Sequence, residues 1–188
     1  MKIHQLQAAY LIEQDRILVR LNTSEGEELR LWLTRRMVKN LFGPMIQAST
    51  ELVAAQTPLA SHDGADRKAL IEFQKQESLQ QADFTTPFNS HALLLPIGEA
   101  PLLATTVHIT HGADGSLHIG FEENVPGAAG SRSFEVTLGT TLLHGFLHLL
   151  ESALQQTGWD LTLGGLDEPN QNKLADAFAA AVPPRYLN

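Results

Sequence analysis

Two loops that end in glycine, Ser24-Glu25-Gly26 and Ala113-Asp114-Gly115, constrain this chain more than any other feature. Each separates two runs in which apolar and polar residues alternate, the signature of half-buried strands. In a three-residue hairpin loop the third residue takes the left-handed conformation, which glycine adopts without steric cost, and the loop then fixes which residues face each other. Across the first loop Leu21 meets Leu29, Val19 meets Leu31 and Ile17 meets Leu33, all on one face. A slip of one residue would scatter them over both faces. With Tyr10 and Ile12 upstream and Gln14-Asp15 as a two-residue loop, residues 5–34 read as a three-stranded meander. Across the second loop, Val107 and Ile109 pair with the run Leu117, Ile119 and Phe121, and the glycine-rich stretch 125–130 leads to a further strand over 133–138.

Each meander passes directly into a helix. Thr34 reads as an N-cap, followed from Arg35 by Val38, Leu41, Phe42, Met45 and Ile46 at helical spacing. Gly43-Pro44 falls inside that pattern and predicts a kink or break, because proline disfavours the helical conformation of the residue before it. Residues 57–64 have loop composition, and a more polar helix with Leu70, Ile71, Phe73 and Leu79 is expected over 66–81. Thr140 or Thr141 is expected to cap a helix reaching about residue 157. Further strands are expected over 92–96 and 159–163, and a terminal helix over 169–181, stopped by Pro183-Pro184.

The fold class is therefore α+β: two strand-meander-plus-helix (βββα) halves, with antiparallel sheets packed against helices. The shared element order and turn type fit an internal pseudo-repeat, or the recurrence of a common plan by chance. Residues 1–188 are expected to form one compact domain, with two lobes as the variant reading. The first βββα half then covers 1–57, a connecting loop and helix 58–89, a second ββββα half 90–158, and a C-terminal strand and helix 159–188.

Composition narrows the chemistry. The chain has 188 residues, 43% hydrophobic and 18% charged, which suits a globular core rather than disorder. A net charge of −8 argues against bulk binding to nucleic acid or anionic lipid. The absence of cysteine excludes disulfides, thiolate zinc sites, iron–sulfur clusters and cysteine nucleophiles. Polar residues interrupt the apolar run that a signal peptide would need at residues 1–7. The most apolar stretches, 92–107 and 142–154, are broken by Pro, Gly, Glu or His and fall short of the roughly 20 residues of a membrane span. A cytosolic location is the expectation. With no phosphate-binding loop, dinucleotide fingerprint or serine elbow, no catalytic residue and no cofactor is assigned, and the chain reads as non-enzymatic.

Two sets of residues stand out as candidate surfaces. His144 and His148 lie four apart on the expected helix, with Glu151 three further on, so that one face could clamp a metal. The buried stripe, Leu143, Leu147, Leu150 and Leu154, runs beside them, and Gly145 replaces the glutamate of the zinc-protease motif. His108 and His118 share the sheet face opposite Ile109 and Ile119 and would complete a four-histidine set. The simpler reading is a row of boundary histidines on a polar helix face and a solvated sheet face, so a metal is not the expected ligand. The second set is basic: Lys2, Arg16, Arg20, Arg30, Arg35, Arg36 and Lys39, out of 13 Lys and Arg in all, lie in the first 40 positions. The register places Arg20 opposite Arg30, on the face away from the core and in line with Leu18 and Trp32. Like charges so placed repel unless something anionic lies between them. With Arg35 and Arg36 in the first helical turn, this surface suits phosphate, a nucleotide or an acidic protein segment. Internal pairing with Glu13, Glu27 or Glu28 is the simpler alternative.

The block from Arg16 to Arg36, most specifically Leu31-Trp32-Leu33-Thr34-Arg35-Arg36, resembles the opening of a family of uncharacterised bacterial proteins of proteobacterial type. The resemblance implies a bacterial cytosolic origin and carries over no catalytic residue. The leading expectation is a non-enzymatic interaction or regulatory protein with a protein partner or self-association, because Ala9, Leu11, Leu18 and Trp32 leave the second sheet face apolar. A metal-binding protein or metal-dependent enzyme, and an anion or acidic-partner binder, are the alternatives.

Overall fold

The computed structural model describes residues 2–56, 64–89, 94–127 and 130–159. The chain runs β1 (Ile3–Leu11), β2 (Arg16–Thr23), β3 (Glu28–Leu33), α1 (Arg35–Gln56), α2 (Gly64–Gln81), β4 (Leu102–Leu103), β5 (Thr106–His111), β6 (Leu117–Glu123), β7 (Arg132–Leu138) and α3 (Thr140–Leu154). Strands β1 to β3 form an antiparallel meander, and β4 adds to β3 in parallel to make a four-stranded sheet. Strands β5 to β7 form a second antiparallel meander. The fold is α+β, two strand meanders with helices.

The glycine loops set the register as expected. Ile17 faces Leu33, Val19 faces Leu31 and Leu21 faces Leu29. Gly26 and Gly115 have φ of 82° and 74°, and each donates its N–H over 3.2 Å to the carbonyl that opens its loop, Thr23 and Gly112. The β1–β2 turn differs from expectation. Leu11 pairs with Arg16, so residues 12–15 make a four-residue loop and Ile12 leaves the strand to stand 74% exposed. Asp15 takes the left-handed conformation there, with φ 48°, and its Oδ1 accepts hydrogen bonds from the Tyr10 hydroxyl at 2.9 Å and Trp159 Nε1 at 2.6 Å. Those two donors tie the turn to the end of the described chain and stabilise a position that an apolar alternation pattern does not reveal.

Thr34 caps α1 as expected, its Oγ1 accepting from the Met37 N–H at 3.2 Å. Of the kink or break expected at Gly43-Pro44, the break does not occur, for α1 runs on through Pro44. A residue without Cβ lessens the clash that proline makes with the one before it, and Phe42 and Met45, buried on either side, hold the segment to the core. Packing thereby overrides a local helix cost of about 3 kcal/mol. At α3 the cap is Gly139 rather than a threonine, with Thr140 already inside the helix, which ends at Leu154 in a turn over 155–157. Of the strand expected over 92–96, Leu94 makes only an isolated parallel bridge to Glu27, while residues 92–93 lie outside the described residues. Beyond residue 159, the expected strand at 159–163 and helix at 169–181 lie outside them as well.

The strand beside β3 is instead β4, which carries no alternation signal. The segment leading into it is held by polar contacts. Arg132 on β7 pairs with Glu123 on β6 and donates to the carbonyls of Ile97 at 3.2 Å, Ala100 at 2.9 Å and Pro101 at 3.3 Å. Glu123 Oε1 accepts from the Leu103 N–H at 3.2 Å, so this ion pair straps 97–103 into place between the two sheets.

One continuous cluster joins the inner faces of both sheets, through Val19, Leu31, Leu117, Ile119 and Phe121, to α1 and α3. Helix α3, which follows the second meander, packs against β1 of the first and against α1 and α2. No helix among the described residues is long and apolar enough to cross a membrane. Leu31 is wholly buried between Val19 and Leu102. Leu31→Ala is expected to lower stability by about 2–5 kcal/mol in urea denaturation, as in other large-to-small core changes. Ile12→Ala, outside the strand, should stay within about 0.5 kcal/mol of the parent.

Candidate functional site

The face of the four-stranded sheet turned away from the helices is ordered in rows. The register brings Ala9, Leu18, Trp32 and Leu103 side by side across all four strands, a continuous half-buried apolar row. On one side lies Leu11 with Arg16; on the other come Gln7, Arg20 and Arg30, then Gln5, Asn22 and Glu28. The polar rows are roofed by the chain that follows α2. Phe88 stacks on the Arg20 guanidinium with 4.5 Å to the ring centroid, and the Asn89 carbonyl accepts from Asn22 Nδ2 at 2.7 Å. The Asn89 N–H donates to Gln5 Oε1 at 3.0 Å, and the Glu99 carbonyl accepts from Arg30 Nη1 at 3.4 Å.

The like-charged pair that the register forces is neutralised from within. Glu28 shares a strand face with Arg30, and its Oε1 accepts from Arg20 Nε at 2.6 Å and from Arg30 Nε at 2.7 Å. Its side chain is wholly buried, whereas those of Arg20 and Arg30 remain 17% and 28% exposed. Burial pushes the Glu28 carboxyl up, but the hydrogen bonds and charges of Arg30 and Arg20 outweigh it and hold the group below the ordinary glutamate value. An anion approaching Arg20 and Arg30 would meet a site already filled by a carboxylate. Two buried acceptors on facing residues, Asn22 Oδ1 and Glu28 Oε2, have no donor.

Arg35 and Arg36 stand exposed in the first turn of α1 and do not join the Arg20–Arg30 clasp. Asp15 is held below the ordinary aspartate value by its bonds from Trp159 and Tyr10, with the Arg35 charge adding to the effect. The basic residues thus divide. Arg20 and Arg30 are structural, while Arg16, Arg35 and Arg36 lie towards the β1–β2 turn, beyond the apolar row that holds Trp32.

The four histidines do not converge. His108 and His118 project from the outer face of the second sheet, whose other face, with Ile119 and Phe121, is in the core. They pair with Glu122 at 3.5 Å and Glu135 at 3.4 Å, and His118 Nδ1 lies 3.1 Å from Thr137 Oγ1. His144 is on the core side of that sheet, 1% exposed, with Nε2 2.8 Å from Ser49 Oγ of α1 and Nδ1 3.0 Å from Ser78 Oγ of α2. It is no boundary residue, and both ring nitrogens are occupied. His148 is exposed and meets the Phe84 ring edge-on, 5.2 Å between centroids. Glu151 lies 3.7 Å from Lys75 of α2. The stripe His144, His148, Glu151 does share one helix face, but that face is the seam on which α2 and the turn after it dock. Among the described residues no group of three or more His, Asp or Glu side chains could hold a metal ion.

Sequence reading missed Phe88, Ser49 and Ser78, which come from other elements, and it left Glu28 as one of three acids. Alternation could have singled Glu28 out, since residues 28, 30 and 32 share a face whereas Glu27 does not. The burial of His144 also had a signal: residues 140–147 carry no charged side chain, and a helix apolar nearly all round lies inside a protein.

Comparison with known protein families, with curated proteins and with solved structures finds no match for this chain.

Glu28→Gln keeps the side chain's volume but leaves two guanidiniums facing each other, and is expected to cost about 2–3 kcal/mol at pH 7, the lower range for breaking a buried pair because both arginines reach water. The lowered folded value means that Glu28 contributes stability above its unfolded value of 4.5, which is lost as pH falls through the folded value. The gap between parent and variant in urea denaturation should therefore narrow below pH 4.5.

Proposed function

We propose that this chain is a non-enzymatic, cytosolic bacterial interaction protein that docks an acidic protein surface, in the first instance a second copy of itself, on the outer face of the four-stranded sheet. The observation that carries this reading is the apolar row Ala9, Leu18, Trp32 and Leu103. It crosses four strands and stays half-exposed, while the polar rows beside it are covered by the chain's own residues 87–89 and Glu99. Apolar surface flanked by charge is the usual make-up of a docking site, with an aromatic residue near its centre as the anchor.

Charge supports the choice of partner. Arg16 stands in the next row on the same face, and Arg35 and Arg36 are exposed where β3 passes into α1, on a chain whose net charge is −8, so the basic end of one copy and the acidic remainder of another attract. Of the candidate groups, Arg20 and Arg30 are engaged by Glu28 and His144 lies between two serines. Self-association by this face predicts concentration-dependent sedimentation at micromolar protein. Leu18→Glu, placed in the middle of the row, should weaken it at least tenfold without changing the circular dichroism spectrum. A parent that sediments as a monomer at all concentrations, or a Leu18→Glu variant that associates as the parent does, would overturn the assignment.

A further inference from the structure

We infer that α2 is a detachable cover, gripped across α1 and α3 by the Ser49–His144–Ser78 bridge and released when the His144 imidazole takes up a proton. Three features of the packing lead to this. First, Ser78 is the one buried side chain among the described residues 69–81 of α2, whereas α1 buries Val38, Leu41, Phe42, Met45, Leu52 and Val53. Leu70, Ile71 and Leu79 are only half-buried and Phe73 is 63% exposed. Second, two further contacts along the seam, Lys75 with Glu151 and Phe84 with His148, are open to water and so weakly held. Third, the buried link is titratable and spans three helices through residues 66 and 95 positions apart in sequence.

A neutral imidazole has one donor and one acceptor nitrogen, and two serine hydroxyls match it in either tautomer, one accepting and the other donating. A protonated ring donates from both nitrogens. The serines can turn to accept, but neither supplies a negative charge, and a buried cation without a counter-charge is strongly disfavoured. Burial therefore dominates in holding the His144 value below ordinary histidine, and Lys75 adds to it, against a smaller opposing effect of Glu72.

Among the described side chains the charged surroundings are few. On α2 they are Glu72 and Lys75; on α3, His148 and Glu151; on α1, Glu51, which lies 3.3 Å from His111. Of the strands packed on α3, β1 brings His4 and Tyr10, and β7 brings Arg132 and Glu135, which are paired with Glu123 and His118. None of these strand groups acts on the ring. A group whose folded value is depressed in this way takes up its proton more readily in the open form. Opening is thus favoured as pH falls below the ordinary histidine value of 6.5, by up to about tenfold per pH unit until the folded value is reached.

Hydrogen exchange on the full chain between pH 7.5 and 5, corrected for the intrinsic pH dependence of exchange, tests this. In the parent, amides 69–81 should lose protection below about pH 6.5 while α1, α3 and both sheets keep theirs. In His144→Gln, which retains a donor and an acceptor but does not titrate, α2 protection should be independent of pH. Should that variant not fold, Ser78→Ala should lower α2 protection at pH 7.5 with the sheets unchanged, and the His144 ring resonances of the parent should titrate in step with the loss of α2 protection. Parent α2 protection that is flat with pH overturns the inference, as does a loss shared equally by His144→Gln or by α1 and α3.

Discussion

The register of β2 against β3 governs both faces of the four-stranded sheet at once. Turning Ile17, Val19 and Leu21 towards the helices turns Leu18, Arg20 and Asn22 the other way, opposite Trp32, Arg30 and Glu28. The register that buries this apolar face sets two guanidiniums, Arg20 and Arg30, opposite each other on its reverse. Glu28 resolves that conflict because it stands two residues before Arg30 on the same face. The same register lines up the apolar row with Trp32 at its centre. A core requirement on one side of the sheet thus generates both the clasp and the half-buried apolar row on the other.

Long-range polar contacts organise what lies above and below this sheet. The Arg132–Glu123 pair straps the segment that becomes β4, and Asp15 links the first turn to Trp159. His144 ties the three helices together from inside. These contacts differ in how water treats them. Arg132 and Asp15 work near the surface, where their partners are easily solvated, whereas the imidazole of His144 has no alternative partner once it is enclosed. That contrast is why α2, which contributes little apolar area of its own, depends on one buried side chain.

Much of the fold was legible from the chain. The two glycine loops, the alternation around them and the Thr34 cap are local features, and local features act through backbone geometry that sequence spacing reports directly. The continuity of α1 through Pro44 was not legible, because the unfavourable term is local while the compensating burial of Phe42 and Met45 is tertiary. Nor was β4, whose two leucines carry no periodic signal and are positioned by an arginine thirty residues away. Of the candidate residues, Arg20 and Arg30 were placed correctly on their face, but which carboxylate joined them depended on side-chain reach. His144, His148 and Glu151 were rightly read as one stripe, and their meaning changed once α2 lay across it.

What the sequence determined by itself, then, is which residues share a face: a period of two along strands and about 3.6 along helices follows from backbone geometry alone. That is sufficient to fix the β2–β3 and β5–β6 registers and the histidine stripe. What only the tertiary structure decided is what each face meets. The outer sheet face meets residues 87–89 and Glu99 at its polar end and leaves the Trp32 row half-buried, and the histidine stripe meets α2. Those outcomes depend on contacts between residues up to 95 positions apart, such as Ser49 with His144, and no local periodicity encodes a partner at that distance.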